Sequence, residues 1–215
     1  MPRYALAPGL SYGLVDSEPI FLDLAADLYF KLDPPLRAAF DRLRNGNGTL
    51  PRTGAAGLLA AGIVRESPAR APLAPAPAFI PEGSLAGMEL QAHVRWADLP
   101  EVALLLVRAR LAIRCTGLGR LAAARASRAS PDHEQRARTL ARRFEAARRR
   151  IPLARHCLTD SLALLHFLRR RSLSAHLLFG VKRHPFAAHC WLQDRRMVLN
   201  DDAETARGFT PVLVL

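Results

Sequence analysis

The stretch Cys157-Leu158-Thr159-Asp160-Ser161-Leu162-Ala163-Leu164-Leu165-His166-Phe167-Leu168 decides the fold of the C-terminal half of this 215-residue chain. Its apolar residues recur at helical spacing, and three arginines at 169–171 follow, where cations suit a helix C-terminus. Pro152 indicates that the helix begins after it, so Cys157 is expected in the first turn. There the unpaired N–H groups and the helix dipole favour a thiolate and lower its pKa. A buried structural cysteine is the alternative interpretation.

The residues after this helix predict three strands that carry a histidine and a carboxylate. The predicted strands are 175–181, 187–193 and 197–201, separated by His184-Pro185 and by Asp194-Arg195-Arg196. His189 lies in the second strand and Asp201 ends the third. A thiol, an imidazole and a carboxylate are the parts of a nucleophilic cysteine site, so Cys157, His189 and Asp201 are the candidate catalytic residues.

The connection between the last two predicted strands decides which side chain faces His189, because side chains alternate between the faces of a sheet. A three-residue connection at 194–196 sets His189 opposite Asp201. A two-residue connection sets it opposite Asn200, and a four-residue connection opposite Asp202. The sequence does not fix this length, and the assignment of Asp201 requires an odd one.

These motifs resemble the lasso peptide biosynthesis B proteins, which are transglutaminase-like cysteine proteases that remove the leader from a lasso peptide precursor. The matching residues are Cys-Leu-x-x-Ser-Leu-Ala-Leu at 157–164, Gly-Val-x-x-x-Pro-Phe-x-Ala-His-x-Trp at 180–191 and Leu-Asn-Asp at 199–201. The resemblance covers about residues 95–215. It implies Cys157 as nucleophile, His189 as base and acid, and Asp201 as orienting carboxylate. Two positions depart from the family pattern: Asp160 stands where an arginine is expected, and Cys190 where alanine is usual.

Residues 1–67 show a different pattern, three short β-like runs followed by helices. The runs are Tyr12–Val15, Ile20–Leu24 and Leu28–Leu32. Asp33 is expected to cap a helix that runs to about residue 44 with Pro34 at its first position, and a second helix spans 53–61. This winged-helix-like unit resembles the PqqD-like precursor-recognition domains, with a middle helix that is reduced or absent.

The second resemblance implies that an exposed sheet edge pairs with the leader as an added strand. The candidate leader-binding residues are Leu28, Tyr29, Phe30, Lys31 and Leu32. Alternation places residues 28, 30 and 32 on one face and residues 29 and 31 on the other. The alternative is that Tyr29 and Phe30 are core aromatics of a small sheet.

The predicted fold class is α+β, with three parts. Residues 1–67 form the PqqD-like leader-recognition module, residues 68–90 an Ala/Pro-rich linker, and residues 91–215 a transglutaminase-like, papain-like cysteine peptidase domain. In the last part, a helix is predicted at 98–113, a break at 117–119, an exposed loop at 126–132, and a second, Arg-rich helix from Pro131 to about 150.

The net charge of +12 is unevenly distributed. Residues 1–68 hold seven basic and seven acidic residues, so the excess falls in 69–215, and residues 103–155 hold 14 arginines against three acidic residues. We call these arginines the Arg belt. Such a belt is usually a solvated helix face, and attraction of nucleic acid or an acidic peptide is the alternative.

Cysteine spacing and hydropathy exclude several other classes of protein. The three cysteines form no CxxC motif, which argues against a disulfide framework or a zinc finger, and His156-Cys157 and His189-Cys190 match no common metal site. We therefore expect no cofactor and no metal. The N-terminus lacks a signal-peptide h-region, and the apolar stretch Val102–Val107 is too short to span a bilayer, which predicts a cytoplasmic protein.

Taken together, the residues and the resemblance predict a leader peptidase. Its expected partners are the leader segment of a precursor peptide and an asparagine-synthetase-like lasso cyclase. A transglutaminase-like acyltransferase could use the same three residues. A basic winged-helix protein that binds nucleic acid is the other alternative, although the winged unit itself is neutral.

Overall fold

The computed structural model describes residues 1–68, 73–86, 95–116 and 131–215, and over these residues the predicted α+β class is confirmed. The elements in chain order are β1 (Tyr4–Leu6), β2 (Leu10–Val15), β3 (Glu18–Asp23), β4 (Leu28–Phe30), α1 (Pro34–Asn45), α2 (Arg52–Ala60), β5 (Val64–Glu66), β6 (Gly83–Ser84), α3 (Asp98–Thr116), α4 (Pro131–Arg148), α5 (Cys157–Arg169), β7 (His176–Lys182), β8 (Ala187–Gln193), β9 (Met197–Val198), α6 (Ala203–Arg207) and β10 (Thr210–Val214).

The C-terminal part is built on a five-stranded sheet in the order β10-β7-β8-β9-β6. The inner strands β7 and β8 run antiparallel and are apolar on both faces, so both faces must be covered. One face packs with α5 in the main core, where Phe179 and Leu192 are buried. The other face, with Leu178 and Trp191, is covered by α6 and Phe209.

Helix α5 begins at Cys157, as the sequence predicts, and is buried on most of its surface. It lies between β8 on one side and α3 and α4 on the other. A helix that is apolar nearly all round is stable only when it is covered on all sides. This sandwich holds the first residue of α5 in a fixed position relative to β8.

The N-terminal part contains the three-stranded antiparallel sheet β2-β3-β4 and two helices. The side chain of Asp33 caps α1 by accepting a hydrogen bond from the Leu36 N–H at 3.0 Å, as predicted. The run predicted at 28–32 ends earlier, at Phe30, because Lys31 turns to an ion pair with Glu18 and Leu32 enters the core. The antiparallel pair β1–β5 was not predicted, since three-residue strands are too short to show a period.

The two faces of the N-terminal sheet pack against different partners. Tyr12, Phe21 and Phe30 face the helices and join Phe40 in an aromatic cluster. On the other face, Ile20, Leu22 and Leu24 share one core with Phe179 and Val212 of the C-terminal part. Gly13 permits this approach, because a Cβ there would lie 2.2 Å from the carbonyl oxygen of Pro211 in β10.

The segment 73–86, within the predicted linker, is extended and packs along both parts. Tyr12 donates its hydroxyl to the Leu73 carbonyl at 2.6 Å, and the Ala76 N–H donates to the Tyr12 carbonyl at 2.8 Å. Farther along, Gly83 and Ser84 form β6, which pairs in parallel with β9. The segment is therefore tied to the N-terminal sheet at one end and to the C-terminal sheet at the other.

The two helices predicted after the linker are present as α3 and α4. The break predicted at 117–119, the start of the loop predicted at 126–132, and the side chain of Cys115 lie outside the described residues. Among the described residues, no helix is both long and apolar enough to cross a lipid bilayer.

Candidate active site

Cys157 is the first residue of α5 and its side chain is exposed. His156 before it is extended, with φ −139° and ψ 124°, and the first hydrogen bond of the helix runs from the Asp160 N–H to the His156 carbonyl at 2.9 Å. The thiol therefore lies at the end of the helix where N–H groups have no partner within the helix. This exposed position differs from the buried structural cysteine of the alternative interpretation.

His189 lies in β8, directly opposite Gly180 of β7. Its ring stacks near Trp191, with centroids 6.0 Å apart, and near Phe209, with centroids 5.2 Å apart. A Cβ at Gly180 would lie 2.8 Å from the Trp191 ring and 2.9 Å from the Phe209 Cβ. Because Gly180 has no side chain, there is space for the two aromatic side chains that contact the imidazole.

Asp201 contacts His189 through a hydrogen bond between Nε2 of the imidazole and Oδ2 of the carboxylate. Its other oxygen accepts the N–H of Asp202 at 2.7 Å. The second carboxylate, that of Asp202, turns away and caps α6 by accepting the N–H groups of Glu204 and Thr205. Two adjacent aspartates therefore have different structural roles.

The strand register that this contact was expected to require is absent. Gln193 pairs with Val198, which is the register of a four-residue connection and would set His189 opposite Asp202 if the ladder continued. The expected odd-length connection is therefore wrong. Asp201 still reaches His189 because β9 has only two residues, so the chain leaves the sheet before residue 201 and the alternation no longer applies.

The ionisation of the three groups is coupled. Hydrogen bonds from Cys190 and then from His189 lower the pKa of the Cys157 thiol to about 4 and outweigh the opposing effect of its partial desolvation. Hydrogen bonds with Asp201 and then with Cys157 raise the pKa of His189 to about 9. Burial raises the pKa of Asp201, but its hydrogen bonds with His189 and the Asp202 N–H outweigh this and lower it. Between pH values of about 4 and about 9, the site thus holds a thiolate beside an imidazolium.

A buried polar network that the sequence analysis missed joins α5 to β8. The Asn200 side chain accepts the Leu192 N–H at 2.7 Å and donates to the Ser161 hydroxyl at 2.8 Å. Ser161, which is fully buried, donates to the Cys190 carbonyl at 3.4 Å. The network ties one turn of the cysteine helix to the backbone on the C-terminal side of His189. Both side chains stand in the quoted motifs, which was the available signal.

Cys190 is a buried thiol beside the site. A hydrogen bond with Cys157, followed by burial, raises its pKa well above the usual value, so it remains a neutral donor. Sequence analysis noted this residue as a departure from the family pattern without assigning it a role. Its thiol donates to the Ser161 hydroxyl at 4.0 Å and lines the same pocket as Cys157.

The other departure, Asp160, pairs with an arginine from a different helix. Arg148 of α4 donates from Nε to the Asp160 carboxylate at 3.0 Å, and its other nitrogens donate to the carbonyls of Ile151, Leu153 and Ala154 at 3.0–3.2 Å. The Arg148 side chain is only 2% exposed. One guanidinium therefore fixes the segment that leads into Cys157.

Two cavities flank the catalytic residues. One, the Tyr29 pocket, has a volume of about 140 Å³ and is lined by Asp27, Tyr29, Cys157, Leu158, Phe179, Ala188, His189 and Cys190. The other, the Asp201 cleft, has a volume of about 230 Å³ and is lined by Leu85, Ala86, Arg142, Glu145, Arg149, Arg155, Leu199, Asn200, Asp201 and Asp202. A substrate chain that crosses the thiol would have room on both sides.

The candidate leader-binding residues lie in different environments. Leu28 is exposed, Tyr29 lines the pocket named after it, and Phe30 stacks on Phe21 with centroids 5.3 Å apart. Lys31 pairs with Glu18, and Leu32 is buried. Within the described residues, β4 is the last strand of its sheet and its second edge pairs with no other strand.

Local contacts neutralise part of the Arg belt. Among the described residues, five of its arginines form ion pairs: Arg138 with Asp194 and Glu134, Arg143 with Asp98, Arg148 with Asp160, and both Arg149 and Arg155 with Glu145. In the described part of the chain, no group of three or more His, Cys, Asp or Glu side chains is arranged to hold a metal ion.

Comparison with known proteins gives two similarities. Over 45 residues the chain is 44% identical to the Microcin J25-processing protein McjB of Escherichia coli, and this stretch covers 21% of the chain and 22% of that protein. The chain thus matches about a fifth of the length of that curated relative, and no solved structure matches. The family model of the transglutaminase-like superfamily matches residues 103–214, just over half of the chain. Together these similarities confirm the resemblance to the lasso peptide biosynthesis B proteins, and the chain belongs to the transglutaminase-like superfamily.

Proposed function

We propose that this protein is a cysteine peptidase that removes the leader from a lasso peptide precursor. The observation that carries the proposal is the exposed Cys157 thiol at the start of α5, with its pKa lowered to about 4 beside the hydrogen-bonded pair of His189 and Asp201. The similarity to a microcin-processing protein supports a peptide substrate.

The chemistry follows from the charges of the site. The Cys157 thiolate attacks the carbonyl carbon of the scissile peptide bond, and the oxyanion that forms meets the N–H groups at the start of α5. The His189 imidazolium gives its proton to the leaving amine, and the C–N bond breaks to leave a thioester. His189, now neutral, accepts a proton from water, which attacks the thioester and releases the leader as a carboxylate. Asp201 fixes the imidazole orientation and stabilises its charged form.

The N-terminal part, residues 1–67, is proposed to hold the leader, with residues 68–90 as the linker and residues 91–215 as the peptidase domain. The second edge of β4, which pairs with no strand among the described residues, supports this division, because an extended peptide can pair with an unpaired strand through main-chain hydrogen bonds. Holding the leader raises the local concentration of the scissile bond at Cys157. The freed core amine is then proposed to be joined to a side-chain carboxylate by an asparagine-synthetase-like cyclase.

Cleavage of a precursor peptide tests the proposal directly. Cys157→Ala is expected to abolish cleavage at the leader–core junction, read by mass spectrometry, while leaving leader affinity unchanged. Cys115→Ala, which removes a different thiol, is expected to retain activity. Cleavage at the native junction by the Cys157→Ala protein would show that the nucleophile is assigned wrongly.

An acyltransferase is the second candidate, since members of the transglutaminase-like superfamily can use an amine in place of water. The two reactions give different leader products. Hydrolysis leaves a free carboxylate at the leader C-terminus, whereas aminolysis leaves an amide whose mass includes the added amine. Incubation of the precursor with an excess of a primary amine distinguishes them, and a free carboxylate as the dominant product supports the peptidase.

A further inference from the structure

We infer that Tyr29, supplied by the N-terminal sheet, forms one wall of a substrate pocket that receives a single side chain without negative charge on the leader side of the scissile bond. The inference deepens the proposed function and rests on it. It makes the peptidase site composite, because the part that is proposed to hold the leader also shapes the pocket beside the nucleophile.

The position of Tyr29 follows from the alternation of β4. Tyr29 pairs with Leu22 of β3, whose side chain lies in the core shared with the C-terminal part, while the neighbouring Phe30 faces the N-terminal helices. The half-buried Tyr29 ring contacts Phe186, in the connection between β7 and β8, edge-on with centroids 6.3 Å apart. A side chain from one part of the chain is thus held against the hairpin that carries His189.

The size and lining of the Tyr29 pocket define what it can hold. Its volume is about 140 Å³, and Leu158, Phe179 and Ala188 line it together with the tyrosine ring. A cavity of about 150 Å³ in a protein core holds a benzene molecule. The pocket therefore suits one apolar side chain up to about the size of a phenyl ring, and the thiol of Cys157 lies in its lining.

Charge restricts the occupant further. Asp27 lines the same pocket, and the Cys157 thiolate adds a second negative charge at neutral pH. Burial raises the pKa of Tyr29, so its hydroxyl stays neutral and adds no charge to the pocket. The His189 imidazolium, which also lines the pocket, offsets one of these two negative charges. The lining keeps an excess of negative charge, so an aspartate or glutamate side chain would be repelled, which is a means of rejecting substrates.

The leader side is assigned from the free edge of β4. One edge of β4 is occupied by β3, so a leader strand that adds to β4 takes the second edge, which pairs with no strand among the described residues, next to Tyr29. A peptide that leaves this edge passes the Tyr29 pocket before its carbonyl reaches Cys157. The residues after the scissile bond then extend toward the Asp201 cleft on the other flank.

A test that does not depend on peptide cleavage uses the nucleophile itself. Cys157 in the full-length protein is alkylated with iodoacetamide or with its N-naphthyl derivative, which share one reactive group, and the adduct is read on the tryptic peptide 156–169. Tyr29→Ala is expected to raise the ratio of the naphthyl rate to the iodoacetamide rate by about tenfold. Tyr29→Trp, which narrows the pocket, is expected to lower it. Trp96→Ala, which removes an exposed aromatic ring outside both cavities, is the control and leaves the ratio unchanged.

Cleavage of substituted precursors provides the second test. With alanine, leucine or glutamate placed in turn at each of the last leader positions, one position is expected to show at least about a tenfold lower kcat/KM for glutamate than for leucine. Asp27→Asn should reduce this penalty, and Tyr29→Ala should shift the preference at that position to larger side chains.

The two tests separate failure of the inference from failure of the proposed function. If the wild type cleaves precursor but neither Tyr29 variant changes the alkylation ratio, Tyr29 is not a wall of the pocket and the inference is overturned. If the alkylation ratios shift as expected but the wild type cleaves no precursor, the pocket stands and the peptidase assignment fails. Thermal unfolding of both variants identifies a misfolded protein, and because the two variants predict opposite shifts, either one alone decides.

Discussion

The strands β8 and β4 both contribute to the candidate site, but they are held in opposite ways. β8 is paired with β7 along its whole length and with β9 at Gln193, and its residues from Cys190 to Gln193 are buried. Among the described residues, β4 is paired only with β3, and Leu28 is exposed. A catalytic imidazole must keep its position within about 0.5 Å, whereas an edge that accepts a peptide must stay unpaired. The difference places the catalytic histidine on an inner strand of the larger sheet and the proposed peptide-binding edge on an outer strand of the smaller one.

The largest expected effect separates the two aspartates after β9. Asp201→Asn keeps the shape of the side chain but loses the charge that stabilises the imidazolium, so kcat for precursor cleavage should fall by about 10⁴-fold. Asp202→Asn should be nearly neutral, because asparagine caps a helix as well as aspartate does. Steady-state kinetics on both variants measure this ranking. The reverse ranking would show that Asp202, and not Asp201, orients the imidazole of His189 in β8.

The next effect concerns the segment that leads into Cys157, which the Arg148 side chain holds in place. Arg148→Met removes the donor to the Asp160 carboxylate and the Leu153 carbonyl, whereas the Ile151 and Ala154 carbonyls keep the Leu153 N–H and Arg110 as donors. Loss of one partner of a buried ion pair costs about 3–5 kcal/mol in free energy of unfolding. Arg149→Met removes the neighbouring arginine, which is 56% exposed and pairs with Glu145, and should cost less than about 1 kcal/mol. Urea unfolding of both variants measures the difference. Equal losses in free energy of unfolding would mean that the Arg148 contacts do not stabilise the segment before Cys157.

The sequence predicted the α5 helix and the β7–β8 hairpin because each carries a clear period or a run of apolar residues. It also brought Cys157, His189 and Asp201 together as candidates, through motifs quoted for a known family. It predicted the contact between Asp201 and His189 but not how the chain makes it, since the register argument assumed that the ladder continues past Val198, where it stops. Contacts across sheets, such as Tyr29 beside Cys157, leave no periodic signal in either segment.

A smaller effect tests whether Cys190 lowers the pKa of the Cys157 thiol. The Cys190 hydrogen bond is the largest cause of the lowered Cys157 pKa, so Cys190→Ala should raise that pKa from about 4, while His189 keeps it below the usual value of about 8.5. Alkylation of Cys157 should then slow at about pH 5, where less thiolate remains, and stay unchanged at about pH 8. The rate of iodoacetamide addition across this pH range measures the midpoint. A midpoint that stays at about 4 would assign the low pKa to His189 alone.

The smallest expected effect concerns β4. If the leader binds by main-chain pairing and apolar contact at this edge, its affinity should change by less than about threefold between about 0.1 M and 1 M salt, although the Debye length falls from about 10 Å to about 3 Å. Binding to the Arg belt would instead weaken steeply, because exposed charges are screened over this range. The measurement is fluorescence anisotropy of a labelled leader peptide with the full-length Cys157→Ala protein, which binds without cutting. Arg149→Ala is the matched control for the belt, since its side chain is exposed and lines the Asp201 cleft, not the Tyr29 pocket. A steep salt dependence that this substitution reduces would place the leader on the belt, and the free edge of β4 would then need another explanation.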